Sequence, residues 1–499
     1  MTLVDLLHHH AEWQPGKAAV LTAEHSITYA ELDASVTCLA RHFRDRGLRP
    51  GDRVAVHWSN SVEAAQLLLA TFRAGLVAVP VNLRLKAAEI AYIFEHSAAR
   101  ICFSEPALVA LAEEACRGGE LEIVSQMPPL TTLPALLPEV DPKQPALILY
   151  TSGTTARPKG VTHTHRTLLE TARLLTPDPV GHGDTLLVIT QMMHVSGLSV
   201  GLLPALHQGA TAVLLRTFNS AAVLDFIERF HCTFTLALPV MLRLVVEEQA
   251  RSPRNVSSLR NVLAAGDTVP VELQRRFHDL FGIEVREAYG MTETAPVTLN
   301  PNAAIRTGSI GPAASEVAIR LVDLYGRDVP TGETGEIFVR SRANCAGYWN
   351  DPAATACLFD NGWLRSGDLA SRDNDSYYWF KGRLKQLIIR GGSNISPQEV
   401  EEALYQHPAV LEAGVIGAPH AIYGEIPIAF VVLRASHSLT EDQLRAHARE
   451  LLADYKVPER ILFAAELPKG LTGKVDRRTL RDMLIAQPDL FEQRVVAGV

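Results

Sequence analysis

The chain has 499 residues, 47% of them hydrophobic and 20% charged, and carries a formal net charge of −8 at pH 7. That length exceeds what one hydrophobic core fills, so at least two domains are expected, and the acidic balance gives no reason to expect a nucleic-acid partner. The cysteines Cys38, Cys102, Cys116, Cys232, Cys345 and Cys357 form no C-x-x-C pair and no zinc-ligand spacing, which argues for reduced, mostly buried thiols in a cytoplasmic protein.

In chain order, residues 1–13 lack the charged start and apolar core of a signal peptide, and no apolar run approaches the roughly 18 residues of a membrane span. His8, His9 and His10 point to different faces of a first helix, which reads as a partly solvated helix rather than a metal site. "SITYAELDASVTCLARHFRDRGL" opens with a capping box, Thr28 to Glu31, followed by an apolar stripe at Leu32, Val36, Leu39, Ala40 and Phe43, and stops at Gly47. Residues 52–58 read as a strand, 61–75 as a helix ending at Gly75, and 76–82 as another strand. Strands separated by amphipathic helices predict an α/β class with parallel, helix-flanked sheets. From about residue 305 to 382, short strands between Gly-rich turns predict a small β subdomain. Ser396, Pro397 and Glu399 predict a second capping box with Pro at N1, opening a C-terminal α+β domain over 387–499. Within it Thr440 and Gln443 cap another helix. The N-terminal domain is expected over 1–382, with a hinge at 383–386.

Five stretches carry candidate chemistry. "LYTSGTTARPKG" follows an apolar strand with Thr151, Ser152, Gly153, Thr154 and Thr155, whose backbone N–H groups and hydroxyls suit phosphate oxygens, and Lys159 adds a point charge. A Walker-type loop ends Gly-Lys-Ser/Thr; here Lys159 precedes Gly160. "EAYGMTET" groups Tyr289, Gly290, Thr292 and Glu293, and a glutamate carboxylate suits Mg²⁺ against phosphate oxygens. "WLRSGDLA" offers Asp368 in a Gly turn, an acceptor pair for vicinal ribose hydroxyls. "GRLK" offers Arg383, and "LPKGLTGKVDRRTLR" places Lys474 in an exposed Gly turn. A surface carboxylate and a solvated basic patch are the plain alternatives for Asp368 and Lys474.

In order and spacing, "YTSGTTARPKG", "YGMTET", "SGD", "GRLKQLIIRGGSNISPQEVE" and "LTGKVDRRTLR" resemble the acyl- and aryl-CoA ligases of the adenylate-forming superfamily, over essentially the whole chain. The resemblance implies that the loop from Thr151 to Lys159 grips the β- and γ-phosphates of ATP as a leaving group. Ala265, Gly266 and Asp267 stand in the adenine-binding turn, with Glu287, Ala288 and Gly290 also beside the nucleotide and Tyr289 stacked on the base. Thr292 touches the α-phosphate, Glu293 binds Mg²⁺, and Asp368 and Arg383 hold the ribose. His194, Val195, Ser196, Gly290 and Met291, with Ala265, line the acyl pocket.

The implied reaction is acid activation as an acyl adenylate with Lys474 spanning carboxylate and nucleotide. Rotation of the C-terminal domain then brings Gly391 and Gly392 to the pantetheine arm of coenzyme A. Two departures stand out: Ala156 replaces a usual loop glycine, and Gln386 replaces a usually charged hinge residue. The expected partner is a small-molecule carboxylic acid, leaning to an uncharged medium-chain or aromatic one, and the chain is expected to be a monomer or homodimer. The rival readings are an enzyme loading a carrier protein and a non-catalytic nucleotide sensor.

Overall fold

The structure, a computed structural model, describes residues 2–130, 137–151, 157–176, 178–435, 437–470 and 474–486. The chain forms two compact units. The first comprises Met1–Val269, Leu273–Ile319 and Phe338–Arg365; the second comprises Pro270–Glu272, Arg320–Ile337 and Ser366–Val499.

In the first unit the capping box forms as read. The Glu31 N–H donates to Thr28 Oγ1 at 3.3 Å and the Thr28 N–H to Glu31 Oε2 at 2.8 Å, starting the helix Tyr29–Asp45. Along the chain run β1 (Ala18–Leu21), β2 (Ser26–Thr28), β3 (Arg53–His57), β4 (Val77–Pro80), β5 (Ala99–Ser104), β6 (Glu122–Val124), β7 (Pro145–Thr151) and β8 (Lys159–Thr164). There follow β9 (Thr185–Val188), β10 (Thr211–Leu214), β11 (Phe234–Ala237), β12 (Asn261–Ala264), β13 (Val285–Met291) and β14 (Thr294–Leu299). After them come β15 (Ala318–Val322), β16 (Thr334–Arg340) and β17 (Gly347–Tyr348).

Two sheets result. One has eight strands in the order β14-β13-β12-β11-β9-β10-β1-β2, the other seven in the order β17-β8-β7-β4-β3-β5-β6. Their interiors are parallel, as expected, and antiparallel pairs finish the edges: β13–β14 and β1–β2 in the first, β7–β8 and β8–β17 in the second. Alternation along β9 shows both faces covered. Leu186 and Val188 join a core with Val54, Leu147 and the helical Leu32, Leu67 and Leu168, while Leu187 joins a second core with Leu224, Val246 and Phe277. One layer of helices is thus shared between the two sheets. All six cysteines are free; Cys102, Cys232 and Cys345 are buried, Cys38 and Cys116 half-buried and Cys357 exposed, so only half meet the expectation of burial. His8 and His9 are exposed and His10 is buried, the split that helical periodicity requires.

The strands β18 (Phe359–Asp360), β19 (Trp363–Arg372) and β20 (Tyr378–Arg383) join β15 and β16 in a five-stranded sheet. The second unit continues with β21 (Ile388–Arg390), β22 (Ser393–Ile395), β23 (Val410–His420), β24 (Gly424–Leu433) and β25 (Arg460–Phe463), again one sheet. Val400 and Leu404 of the helix Pro397–Tyr405 and Leu444 of the helix Glu441–Leu451 pack on one face, and Leu480 and Leu484 lie on the other. Thr440 and Gln443 make the reciprocal cap, at 2.9 and 3.3 Å. The box at Ser396 closes on one side only. Its hydroxyl receives the Glu399 N–H, but the Glu399 carboxylate accepts from Lys456 Nζ at 2.6 Å, an ion pair that outcompetes a neutral backbone donor. Among the described residues no helix is long and apolar enough to cross a membrane.

Candidate functional site

The loops that leave β9, β11, β12 and β13 emerge from neighbouring strands at the carboxyl edge of the eight-stranded sheet, where α/β sheets place their ligands. After β12, Ala265 is half-buried and Gly266 and Asp267 are exposed. Gly266 has φ +92°, a conformation that favours glycine, and a Cβ there would stand 2.9 Å from the Leu238 Cδ2 methyl. Beside it Glu287 of β13 is buried. Its carboxylate accepts from Gln274 Nε2 at 2.7 Å and from the Val269 N–H at 3.3 Å, so it shapes the turn rather than facing open space. Arg286, the largest fully buried side chain, anchors the strand: it grips Asp178 with two bonds of 2.8 and 3.0 Å and donates to the Asn300 carbonyl. Ala288, Tyr289, Gly290 and Met291 follow on β13, with Tyr289 buried.

Met291 pairs with Thr294, so Thr292 and Glu293 are the two tip residues of the β13–β14 hairpin. Two-residue hairpins favour turns with positive φ, yet neither residue has one. Tertiary contacts hold the tip instead. His163 Nε2 of β8 lies 2.7 Å from the Thr292 carbonyl, the Cys345 N–H donates to the Glu293 carbonyl at 2.8 Å, and the Tyr348 hydroxyl donates to Glu293 Oε1 at 2.7 Å. His163 Nδ1 rests against Thr167 Oγ1 at 3.2 Å, and burial lowers this imidazole to about 4, which keeps it neutral.

The same strand carries the phosphate-loop candidates. Thr151 ends β7 and Lys159 begins β8, and the two face each other across the hairpin. Ser152, Gly153, Thr154, Thr155 and Ala156 lie outside the described residues. His163 therefore ties the strand that follows the Ser/Thr loop to the Thr292–Glu293 tip, bringing together two motifs more than 120 residues apart. Glu293 offers a hard oxygen for Mg²⁺. Among the described residues no group of three or more His, Cys, Asp or Glu is placed to hold a metal.

His194 sits in a tight turn after β9. The His194 N–H donates to the Gln191 carbonyl at 3.0 Å, and a Cβ on Gly197 would come within 2.2 Å of that same oxygen. The Asn60 amide clamps the turn's entry by donating to the Thr190 and Leu215 carbonyls and accepting from the Met192 N–H, at 2.9, 3.1 and 2.8 Å. Asn82 Nδ2 lies 3.4 Å from His194 Nε2, which makes that nitrogen the acceptor. Burial, and then the Arg84 charge, lower the His194 pKa, so the ring is neutral at pH 7. Val195 and Ser196 complete the half-buried part of the turn.

In the second unit, β19–β20 pairing sets Asp368 opposite Arg383, and Arg383 Nε lies 3.1 Å from Asp368 Oδ1. Asp368 is buried and Arg383 exposed, the disposition of a carboxylate oriented by a cation at its rim. Gly391 and Gly392, at φ +55° and +85°, form the two-residue loop between β21 and β22. The hairpin turn itself demands these glycines, since no atom lies within 4 Å of a Cβ on Gly392. Lys474 is half-buried rather than exposed; its carbonyl accepts from the Gly470 N–H at 2.8 Å, and Val475 bridges Lys469. Gln386 ends a short 3₁₀ turn, Leu384–Gln386. Sequence reasoning missed His163, Tyr348, Asn60 and Asn82. None stands in a motif with a spacing of its own, and each acts through contacts made only when distant strands meet.

Residues 7–349 match the family described as AMP-binding enzyme, and residues 399–474 match the AMP-binding enzyme C-terminal domain. The chain is 37% identical to a sulfoacetate–CoA ligase of Cupriavidus necator, over 96% of this chain and 97% of that one. It is 36% identical to a feruloyl-CoA synthase of an Amycolatopsis species, over 94% and 96%. The crystal structure of an anthranilate CoA ligase in complex with anthranoyl-AMP superposes with a TM-score of 0.91 at 28% identity, covering 97% of this chain and 98% of that one.

Proposed function

The chain belongs to the AMP-binding enzyme family, and from that membership we propose which residues carry the reaction and which acid it takes. It is an AMP-forming acid–thiol ligase: ATP activates a carboxylic acid as an acyl adenylate with release of pyrophosphate, and coenzyme A receives the acyl group. The observation that carries the residue assignment is the joining of the β7–β8 hairpin, with Thr151 and Lys159, to the Thr292–Glu293 tip through His163. Carboxylate and triphosphate are both anions, so the residues must position the two and neutralise charge as the new bond forms.

In this reading Lys159, with the Ser152–Thr155 loop, takes the β- and γ-phosphates, and the Thr292 hydroxyl takes an α-phosphate oxygen. Mg²⁺ held by Glu293 supplies charge neutralisation at the phosphates. Ala265, Gly266, Asp267, Ala288, Tyr289 and Gly290 frame the adenine, with Glu287 behind the turn. Asp368 accepts the ribose hydroxyls and Arg383 steadies it. Lys474 bridges the acid and the nucleotide in the first step. Residues 383–386 form the hinge between an N-terminal domain, 1–382, and a C-terminal domain, 387–499, whose Gly391–Gly392 turn meets the pantetheine arm in the second step.

For the acid we propose an aromatic or medium-chain carboxylate that carries no second charged group. The residues assigned to the pocket, neutral His194, Val195, Ser196, Gly290, Met291 and Ala265, carry no charge of their own, and the cation whose charge reaches His194 is Arg84, outside that set. The aromatic acids in the names of the feruloyl and anthranilate relatives support that reading, and the sulfoacetate relative marks the alternative to be excluded. The test measures AMP release against a panel of acids, with and without coenzyme A; turnover of sulfoacetate or a dicarboxylate above every uncharged acid refutes the substrate assignment. Lys474→Ala should lose about 10²–10³ in adenylation yet still convert presynthesised acyl adenylate to thioester. Equal losses in both half-reactions contradict the role of the lysine.

A further inference from the structure

Lys159 and Glu293, the two residues assigned to the metal–triphosphate end of the site, meet on one side chain to which the reading above gives no part. The Tyr348 hydroxyl donates to Glu293 Oε1 at 2.7 Å, and Lys159 Nζ lies 4.7 Å from the centroid of the same ring. The placement is built. A two-residue strand has no stability of its own, and β17 exists because it is seated on β8: Gly347 pairs with Thr162 and Tyr348 with Val161. The pairing is extended at both ends, by the Ala346 N–H to the Thr162 carbonyl at 2.8 Å and by the Trp349 N–H to the Gly160 carbonyl at 2.7 Å.

Gly160, the glycine that follows Lys159, makes this seat feasible. A Cβ there would come within 2.8 Å of Ile148 Cγ2 and 3.3 Å of Trp349 Cβ, crowding both β7 and the segment that carries Tyr348. The same segment supplies the Cys345 N–H that holds the Glu293 carbonyl. One strip of chain, residues 345–349, therefore runs along the strand that begins with Lys159 and grips Glu293 by both its backbone and its carboxylate. Glu293 is buried, so the rotation of its carboxylate is set by what it bonds rather than by solvent.

We propose that Tyr348 is a positioning residue for the first half-reaction: its hydroxyl fixes the Glu293 carboxylate so that Oε2 is offered to the divalent cation, and its ring face holds the Lys159 ammonium alongside. The proposal rests on the assignment of Glu293 to the metal and Lys159 to the phosphates. The two halves of the side chain have separable tasks, the hydroxyl serving the metal and the ring serving the lysine.

That separation defines the test, made on the full-length chain with Mn²⁺ as probe and α,β-methylene-ATP as the nucleotide. Mn²⁺ affinity is read by electron paramagnetic resonance and metal-free nucleotide affinity by calorimetry. Tyr348→Phe keeps the ring and should weaken Mn²⁺ by about tenfold, as loss of an outer-shell partner does, with metal-free nucleotide affinity unchanged. Pyrophosphate exchange in this variant should need correspondingly more free Mg²⁺. Tyr348→Leu should weaken metal-free nucleotide as well, by a few-fold. Glu293→Gln separates the two levels of the reading. Wild-type Mn²⁺ affinity in Glu293→Gln overturns the assignment of Glu293 and the proposal with it; weakened affinity there beside wild-type affinity in Tyr348→Phe overturns the proposal alone.

Discussion

Acidification from pH 7 to pH 5 should destabilise the first unit steeply, through three histidines that the fold buries uncharged. His57, His163 and His165 are each at most 3% exposed, and burial brings each from the usual 6.5 to about 4. His57 Nε2 and His165 Nε2 are buried without a hydrogen-bond partner, so a proton added at either creates an unpaired interior charge. A depressed folded pKa means that the unfolded chain binds protons first. The stabilisation is complete above 6.5, is lost as pH falls from there, and is exhausted below about 4. At pH 5 the unfolded imidazole is almost wholly protonated and the folded one almost wholly neutral, which amounts to about 2 kcal/mol per residue and about 5 kcal/mol for the three relative to pH 7. That is a large share of an ordinary folding free energy of about 5–15 kcal/mol. Urea titrations at pH 7 and pH 5 measure it, and His57→Gln should remove about a third of the difference. Equal stability at the two pH values, or a histidine resonance of this set titrating above pH 6, refutes the reasoning.

Asn60→Ala should raise KM for the acid more than for ATP and destabilise the protein by about 2–4 kcal/mol, because two backbone groups at the entry of the His194 turn and one just after β10 lose their partner. Kinetics with both substrates varied, together with a denaturant series, check it; an unchanged KM for the acid removes the link between Asn60 and the pocket. Asp368→Ala should raise KM for ATP by about tenfold or more and leave the acid KM alone, since it removes the acceptor assigned to the ribose and the partner that orients Arg383.

How much of this was legible beforehand follows from the range of the interactions. Local chemistry reads well: the caps at Thr28 and Thr440 and the helix end beside Gly47 depend on residues a few positions apart and formed as expected. The Ser396 box failed in part because Lys456, 57 residues from Glu399, captured the carboxylate. Periodicity indicated parallel helix-flanked sheets but not that there are two of them, since strand order is a long-range property. At the site, Thr292 and Glu293 could be named from their motif, whereas His163 and Tyr348 could not. An alternating "VTHTH" and an isolated Gly-Tyr carry no local signal, and acquire meaning only where β8 passes β13 and β17. The glycines at 391 and 392 were read as room for a ligand; their positive φ values show that the chain reversal also requires glycine there, a need the sequence reading did not name.

The two-residue tip at Thr292–Glu293 constrains how such an enzyme diversifies. Strand residues alternate faces, so one residue inserted between Tyr289 and Thr294 would turn the succeeding side chains of β14 over and break the alignment with His163, Cys345 and Tyr348 at once. Length there is frozen, while side chains in the turn around His194 and in the wall at Met291 are free to change. New acids should therefore be acquired by point substitution in that wall, and insertions tolerated only in connections such as residues 323–327, between β15 and β16.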